Sequence, residues 1–265
     1  MRSRGARAWS RPGVIAVILA MLGAGGACAA PEEIQVYMDE MNRPGQLGLD
    51  VHLNDTVSGD RTPDYPGQQS GVDRLRLTPE FSYGLTPDIE LGAYLPLTTL
   101  DSHGAFIADG EKVRIKFLAP RAEGQTWFWG ANLEIGYEQH RLDANPWNGE
   151  LKGIVGWRRG PWTLAFNIND DFKISGPAAS PASLDIDTRV SYRLAKDLTF
   201  GIESYNGMGP FRRLGRFQDQ DQSIYAVVDK SFGGWDIDFG VGHGYAASKD
   251  GLVLKAIVSV PIDGG

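Results

Sequence analysis

The sequence predicts an all-β protein, a closed antiparallel transmembrane β-barrel of about 12 strands with short periplasmic turns and long extracellular loops. Three observations support this prediction. Side chains alternate between apolar and polar along most of the chain, one face of each predicted strand is almost free of charge, and short and long connections alternate. A sheet that meets lipid on one face must close on itself, because a bilayer cannot satisfy unpaired backbone groups at a sheet edge.

The alternation is clearest in the fifth predicted strand, where Trp127, Trp129 and Leu133 fall on one face and Asn132 and Glu134 on the other. A period of two residues indicates a strand with one apolar and one polar face. The same pattern predicts twelve strands, at residues 46–54, 73–83, 87–95, 112–119, 126–139, 150–158, 161–170, 184–194, 198–205, 223–230, 235–243 and 252–260. Away from the strand ends, the apolar face carries no charged residue.

The connections between these strands differ in length in a regular order. Short turns are predicted after Tyr83, Ala119, Arg158, Leu194 and Lys230, and longer loops rich in Pro, Gly and Asp after Asn54, Leu95, His140, Asp170, Tyr205 and His243. If the chain enters the barrel from the periplasm, all short turns lie on that side, which is the asymmetry of an outer-membrane barrel. Within the second strand, Pro79 removes a ladder donor and predicts a local bulge.

A soluble β-sandwich also alternates, with its apolar face turned inward, and is the alternative fold. The position of the aromatic residues favours the membrane barrel. Trp and Tyr side chains lie on the apolar face close to the short turns, at Trp127, Trp129, Trp157, Trp162, Trp235, Tyr83 and Tyr192. This predicts an aromatic girdle at one membrane interface, which a soluble core does not require.

The N-terminus is typical of a secretory signal peptide. Four arginines, an apolar stretch over residues 14–22 and the small residues Ala27-Cys28-Ala29 follow one another. We expect a signal peptide over residues 1–29, a periplasmic N-terminal segment over 30–45 and an outer-membrane barrel over 46–265 of a Gram-negative bacterium. Lipidation of Cys28 is the alternative to its removal with the signal peptide. Whether residues 30–45 plug the barrel is left open by the sequence.

Composition and charge narrow the class of protein further. The net charge of −7 argues against a nucleic-acid partner. A single cysteine excludes a disulfide scaffold and a multi-cysteine zinc site, and no catalytic residue, cofactor or metal site is predicted. The expected partners are outer-membrane lipid and lipopolysaccharide, a small solute and the barrel-assembly machinery, and we expect a monomer.

Two hairpins repeat one pattern, since Tyr83-Gly-Leu-Thr-Pro-Asp-Ile-Glu-Leu-Gly92 and Tyr192-Arg-Leu-Ala-Lys-Asp-Leu-Thr-Phe-Gly201 share Y-x-L-x-x-D-[IL]-x-[LF]-G. Duplication and convergence on good turn chemistry both explain it. The longer stretch from Thr78 to Gly92, leading into Tyr94-Leu-Pro-Leu97, resembles the family of outer-membrane proteins associated with the meta-pathway of phenol degradation. The resemblance covers about twenty residues and implies a β-barrel with a role in transport. The chain departs from outer-membrane barrels generally in lacking a terminal aromatic residue.

If the apolar face meets lipid, the charged face lines the lumen. The predicted pore-lining residues are Arg74, Arg76, Glu90, Lys112, Arg114, Lys116, Glu134, Lys152, Asp185, Asp187, Arg189, Glu203, Asp236 and Asp238. Basic residues dominate the second, fourth and sixth strands and acidic residues the eighth to eleventh, which predicts facing walls of opposite charge and a transverse field. The opposite interpretation is that these charges pair across strands and fill the lumen.

The sequence therefore predicts a porin-like channel that passes small solutes by diffusion, with small organic or aromatic compounds as one candidate class. One alternative is a closed structural or adhesive barrel that acts through its extracellular loops. The other is a lipid-modifying enzyme, which is disfavoured because the predicted strand order separates Ser204 from His243. His52 is expected to point inward as a hydrogen-bonding residue. Arg212, Arg213 and Arg216 are candidates for contact with lipopolysaccharide phosphates in an outer loop.

Overall fold

Strands account for nearly all regular secondary structure of the chain in the computed structural model. The structure describes residues 33–72, 74–100, 103–176 and 182–262. The predicted signal peptide and Cys28 lie outside the described residues. Within them, no helix is long and apolar enough to cross a membrane.

The twelve predicted strands are confirmed, and they form one closed antiparallel barrel. Their bounds are β1 Leu47–Gly59, β2 Leu75–Thr86, β3 Ile89–Leu100, β4 Phe106–Leu118, β5 Trp127–Glu138, β6 Trp147–Arg159, β7 Trp162–Ser175, β8 Ser183–Ala195, β9 Leu198–Pro210, β10 Asp221–Phe232, β11 Trp235–Ala246 and β12 Asp250–Ser259. Each strand pairs with its neighbours in sequence, and β1 pairs with β12 from Asp50–Ser259 to Gly59–Asp250 to close the ring. A 3₁₀ turn, Phe217–Asp219, precedes β10.

The two ends of the barrel differ, as predicted. The end that carries the β2–β3, β4–β5, β6–β7, β8–β9 and β10–β11 connections is called the turn end, and the opposite end the loop end. Several strands run further toward the loop end than predicted, since β3 reaches Leu100, β7 Ser175 and β9 Pro210. Neighbouring strands stay paired beyond the apolar band of the outer face, because backbone hydrogen bonds between strands form in water as well as in lipid. The predicted long loop between β11 and β12 is consequently reduced to residues 247–249.

The apolar face of the sheet is the outer surface of the barrel. Val113 is 58% exposed, Ile202 57% and Trp162 54%. Trp162 packs edge-on against Tyr192 with ring centroids 4.8 Å apart, and the other predicted girdle residues are exposed as well. The soluble sandwich is therefore excluded, because a sandwich would bury this face.

The pairing is irregular at Pro79, as predicted, but the extra residue lies in β3 and not in β2, since residues 78–79 of β2 face residues 95–97 of β3. The pairing of β2 with β3 shifts register between Leu77 and Glu80, whereas Pro79 stays aligned with Val51 on the β1 side. Proline has no N–H to donate, so the ladder is interrupted only toward β3. Glu80 is inward-facing and buried directly after the shift.

Candidate functional site: the lumen and its N-terminal strap

The lumen holds most of the side chains that the sequence assigned to it. Ten of the fourteen predicted pore-lining residues are buried: Arg74, Arg76, Glu90, Arg114, Lys116, Glu134, Lys152, Asp187, Arg189 and Glu203. Lys112, Asp185 and Asp238 are half-buried, and Asp236 is exposed near the turn end. Burial of charged groups at this density requires them to be paired.

Charges pair within each wall, which differs from the predicted facing rows of opposite sign. On the wall expected to be basic, Arg114 Nε donates to Glu80 Oε1 over 2.6 Å and Arg114 NH2 to Glu90 Oε1 over 2.8 Å. Carboxylates of β2 and β3 therefore neutralise Arg114 of β4. The alternation of side chains predicts that acidic and basic residues both lie on the inner face. It does not predict which of them form ion pairs.

The wall expected to be acidic is organised around two cations. Arg189 donates to Glu203 and Asp238 over 2.8 Å each, and also to Asp229. Lys255 lies 2.5 Å from Glu203, and the side chains of this pair are fully buried. Lys255 was missed by the sequence reasoning, although its position between the inward-facing Val253 and Ile257 marks it as a lumen residue.

The lumen is occupied by the segment before β1. Residues 33–43, here called the N-terminal strap, belong to the segment expected to be periplasmic, for which the sequence left open whether it plugs the barrel. In the structure they lie inside the barrel. Ile34, Val36 and Tyr37 are at most 4% exposed. Burial of these apolar side chains favours the position of the strap inside the barrel over its exposure to water.

The strap crosses the lumen from wall to wall. Ile34 packs against Tyr225, Val227 and Val253 of β10 and β12. Val36 and Tyr37 pack against a second apolar cluster, formed by Phe128, Ile154 and Ala165 of β5, β6 and β7. In the twelve-strand ring β12 and β6 are six strands apart, so the two clusters lie on opposite sides of the barrel.

Tyr37 is the polar anchor of the crossing. Its hydroxyl lies 2.7 Å from the Tyr94 hydroxyl and donates to Glu134 Oε1 over 3.2 Å. Lys152 Nζ lies 4.3 Å and Lys116 Nζ 5.0 Å from the centroid of its ring. The wall thus holds Tyr37 through hydrogen bonds to its hydroxyl and through cation–π contacts with the face of its ring.

Past Tyr37 the strap turns toward the turn end, where charged residues hold it. Asp39 accepts a hydrogen bond from Arg158 Nε over 2.6 Å and pairs with Arg121 over 2.8 Å. Burial raises the pKa of Asp39, but the hydrogen bond and charge of Arg158 and the charge of Arg121 outweigh burial and lower it. Arg158 also pairs with Glu40. The ionised form of Asp39 is the form that the barrel binds.

The strap finally joins the sheet beside β2. Asn42 N–H donates to Glu90 Oε2 over 2.7 Å, and Gly45 N–H donates to Gly84 O over 2.7 Å. A Cβ at Gly84 would fall far inside van der Waals contact with the carbonyl oxygen of Arg43. The other copy of the repeated hairpin motif has Arg193 at this position. Glycine is needed only in the copy on which the strap lies.

Among the described residues, five Phe and Tyr rings lie in the lumen rather than the three expected. Tyr94, Phe128 and Tyr225 are buried, as predicted. Tyr205 was missed; it packs edge-on against Tyr225, with centroids 5.4 Å apart. Tyr37 of the strap is the fifth. Tyr205 lies two residues after the inward-facing Glu203, so the alternation of side chains already predicted that it faces the lumen.

A cavity of about 250 Å³ lies at the turn end between the strap and the barrel wall. Asp39 and Met41 of the strap form one side, and Arg121, Phe128 and Trp129 are among the residues that form the other. The strap therefore leaves open space beside it at this end of the lumen.

The histidines are placed as the strand order predicted. His52 points inward, with Nε2 3.0 Å from Glu80 Oε2. Ser204 and His243 are both opposite Ile224, on its two sides, so β10 separates them. A serine and a histidine on alternate strands are too far apart for direct proton transfer, which requires hydrogen-bond distance.

Comparison with known proteins shows the class of fold. An outer membrane channel from Pseudomonas putida F1 has a TM-score of 0.59 at 13% identity, covering 86% of this chain and 100% of that chain. The NanC porin has a TM-score of 0.55 and the KdgM porin 0.54, each at 11% identity over 81% of this chain and 100% and 99% of their own. The fold and the polar lumen thus define a porin-like β-barrel, and at these identities the likeness shows the fold.

Comparison does not identify the family of this chain. No family model matches the sequence, and no curated protein matches it. The resemblance to the phenol meta-pathway family therefore stays a prediction.

Proposed function

We propose that this chain is an outer-membrane channel for the passive diffusion of small solutes, in which the strap narrows the pathway. The observation that carries the proposal is the filling of the lumen. Instead of a packed apolar core, the barrel encloses charged and hydrogen-bonding side chains and a strap held by noncovalent contacts. Such a lumen is wet once the strap moves aside, because its walls remain polar.

The contacts of the strap fit a segment that can be displaced. Its hydrogen bonds and ion pairs to the wall involve polar groups that water can also satisfy, and only Ile34, Val36 and Tyr37 bury substantial apolar surface. A net hydrogen bond contributes about 0.5–1.5 kcal/mol, since water replaces it when it breaks. The strap therefore acts as a constriction that narrows the pathway and limits the size of the solutes that pass.

Small organic or aromatic compounds are the solute class that we favour within this function. Tyr94, Phe128, Tyr205 and Tyr225 project into the lumen beside the strap, and aromatic rings stack favourably on one another. The resemblance to the phenol meta-pathway family points to the same class. Lipid, lipopolysaccharide and the barrel-assembly machinery are the partners proposed for an outer-membrane barrel that acts as a monomer.

Single-channel conductance in planar bilayers tests the proposal. The native barrel is compared with a variant lacking residues 33–43, with the signal peptide and its cleavage site retained. We expect small or rare steps from the native barrel and large, steady, salt-dependent steps from the deletion variant. Wild-type behaviour in a correctly folded deletion variant would contradict the role of the strap.

A closed structural or adhesive barrel is the second candidate, favoured by the ion pairs that fill both walls. A folded deletion variant that is silent in the bilayer would support it, since the wall residues alone would then close the lumen. Arg212, Arg213 and Arg216 of the β9–β10 loop are exposed and open to outer partners, although Arg216 already pairs with Asp219 over 3.0 Å.

A further inference from the structure

Two glutamates and a histidine, which are residue types that bind transition metals, converge where the strap meets β1 and β2. Glu33 belongs to the strap, His52 to β1 and Glu80 to β2, and one ligand atom of each lies within 4.8 Å of those of the other two. His52 is 1% and Glu80 2% exposed. Small changes in side-chain torsion bring such atoms to the 2.0–2.2 Å at which zinc is bound by His nitrogen and carboxylate oxygen.

Each carboxylate accepts a hydrogen bond from an orienting neighbour through one of its oxygens. Tyr94 OH donates to Glu33 Oε2 over 3.1 Å, and Arg114 Nε donates to Glu80 Oε1 over 2.6 Å. The other oxygen of Glu80 faces His52 Nε2 at 3.0 Å. Metal ligands in proteins are commonly oriented in this way by a second layer of hydrogen bonds.

Two polar atoms at this site have no hydrogen-bond partner. Glu33 Oε1 and His52 Nδ1 are both buried without a partner among the described residues. Leaving a buried polar atom unpaired costs about 1–3 kcal/mol, so Glu33 Oε1 points to a missing ligand. His52 Nδ1 lies on the side of the ring away from Glu80 and leaves Nε2 as the nitrogen that faces the site. This observation is independent of the convergence of the three side chains.

The local charge favours a divalent cation. Glu33, Glu80 and Glu90 bring three carboxylates, and Arg114 pairs with Glu80 and Glu90, lying 2.8 Å from Glu90 Oε1. Among these four groups the negative charges are in excess. Two net negative charges remain when His52 is neutral. A histidine ligand favours zinc over calcium and magnesium, which bind oxygen ligands almost exclusively.

We propose that Glu33, His52 and Glu80 form a binding site for a divalent transition metal, with Zn²⁺ the best fit, that clamps the end of the strap to the barrel wall. Three protein ligands leave a fourth position for water. Because Glu33 is on the strap and the other two ligands are on the wall, the metal binds tightly only when the strap is docked. Metal binding is measured without reference to conduction. A protein that binds no metal would therefore contradict this proposal and leave the proposed channel function standing.

The test uses the exported, processed protein in detergent, with an affinity tag free of histidine, stripped by a chelator and titrated with ZnCl₂ by calorimetry. We expect one Zn²⁺ per chain and at least about tenfold weaker binding in Glu33→Gln and in His52→Gln, since loss of even an orienting partner costs about 10–100-fold. The matched controls are Glu123→Gln, an exposed glutamate of the β4–β5 connection, and His243→Gln, an exposed histidine of β11. Both controls should bind as the unaltered protein does.

Glu33→Gln is the decisive variant, because the strap does not form the barrel wall and its change leaves the sheet intact. Circular dichroism confirms the fold of each variant before titration. A spin label at Met41→Cys provides a second measurement, since Zn²⁺ should reduce its mobility in the native background and not in Glu33→Gln. The proposal is overturned if the folded native barrel binds no Zn²⁺, or if Glu33→Gln and His52→Gln bind it as tightly as the controls.

Discussion

Asn167 pairs with the main chain of Tyr37 as a neighbouring strand would. Tyr37 N–H donates to Asn167 Oδ1 over 2.6 Å, and Asn167 Nδ2 donates to Tyr37 O over 2.9 Å. The side-chain amide has the same donor and acceptor as a peptide group, so it satisfies both backbone groups of a residue that has no strand beside it. The middle of the strap is thereby fixed to β7.

Replacing Asn167 by alanine should loosen the strap. The loss of two hydrogen bonds to buried backbone groups costs about 1–3 kcal/mol, which shifts the docking equilibrium by roughly tenfold or more. The mobility of a spin label at Met41→Cys reports the shift. Asn169→Ala is the matched control, because Asn169 lies two residues along β7 and donates to Asp187 over 2.7 Å. Equal mobility in the two variants would contradict the anchoring role of Asn167.

Replacing Gly84 by alanine should displace the strap from β2. The new Cβ would collide with the backbone carbonyl of Arg43, which cannot move without breaking the pairing of Pro44 with Gly84. Gly153→Ala is the control, because its Cβ would meet nothing closer than 3.8 Å. We expect more frequent conducting states only for Gly84→Ala in single-channel recordings. If Gly153→Ala conducts equally often, the effect is not due to the strap.

Acid should release the turn end of the strap. Asp39 has a lowered pKa in the docked state, so its contribution is complete above the ordinary pKa of aspartate, about 3.9, and is lost as the pH falls through the lower docked value. Label mobility at Met41→Cys should therefore rise below about pH 4. Asp39→Asn should show high mobility at neutral pH and a weaker acid response. An unchanged acid response in Asp39→Asn would assign it to another group, such as Glu40.

An arginine at Leu133, in the middle of β5 on the outer face, should destabilise the barrel. Arginine at the midplane of a bilayer costs about 2–4 kcal/mol in membrane barrels. Urea titration of folding into lipid vesicles measures the loss. Phe211→Arg is the control, because Phe211 is exposed in the β9–β10 loop outside the strands. A small effect for both substitutions would contradict a lipid-facing outer surface.

Reversing the charge of Arg74 should move ion selectivity toward cations. Arg74 is 1% exposed just before β2, and its Nε and NH2 atoms have no hydrogen-bond partner among the described residues. Burial and the nearby charge of Arg76 lower its pKa to about 10, so it remains charged at neutral pH. Arg74→Glu is compared with the exposed Arg212→Glu by reversal potentials, in the variant without the strap. Equal reversal potentials for the two variants would show that Arg74 does not line the pore.

Alternation along the chain was enough to predict the number of strands and their order, and the aromatic residues near the short turns favoured the apolar face as the outer one. The reason is physical: in a strand, the side-chain period is two whatever the neighbours are, and a closed barrel pairs each strand with the next. The inward direction of His52, Arg114 and Glu134 follows from the same local rule, whereas the break in pairing beside Pro79 follows from its missing N–H.

Only the tertiary structure decided what fills the barrel. Ile34, Val36 and Tyr37 have partners more than 50 residues away in the chain, such as Tyr94, Asn167 and Val253, and no local pattern encodes such pairs. The meeting of Glu33 with His52 and Glu80, and of Lys255 with Glu203, likewise depends on closure of the ring. Sequence periodicity determines the face on which a side chain lies, whereas its partner across the lumen depends on register, barrel width and the path of the strap.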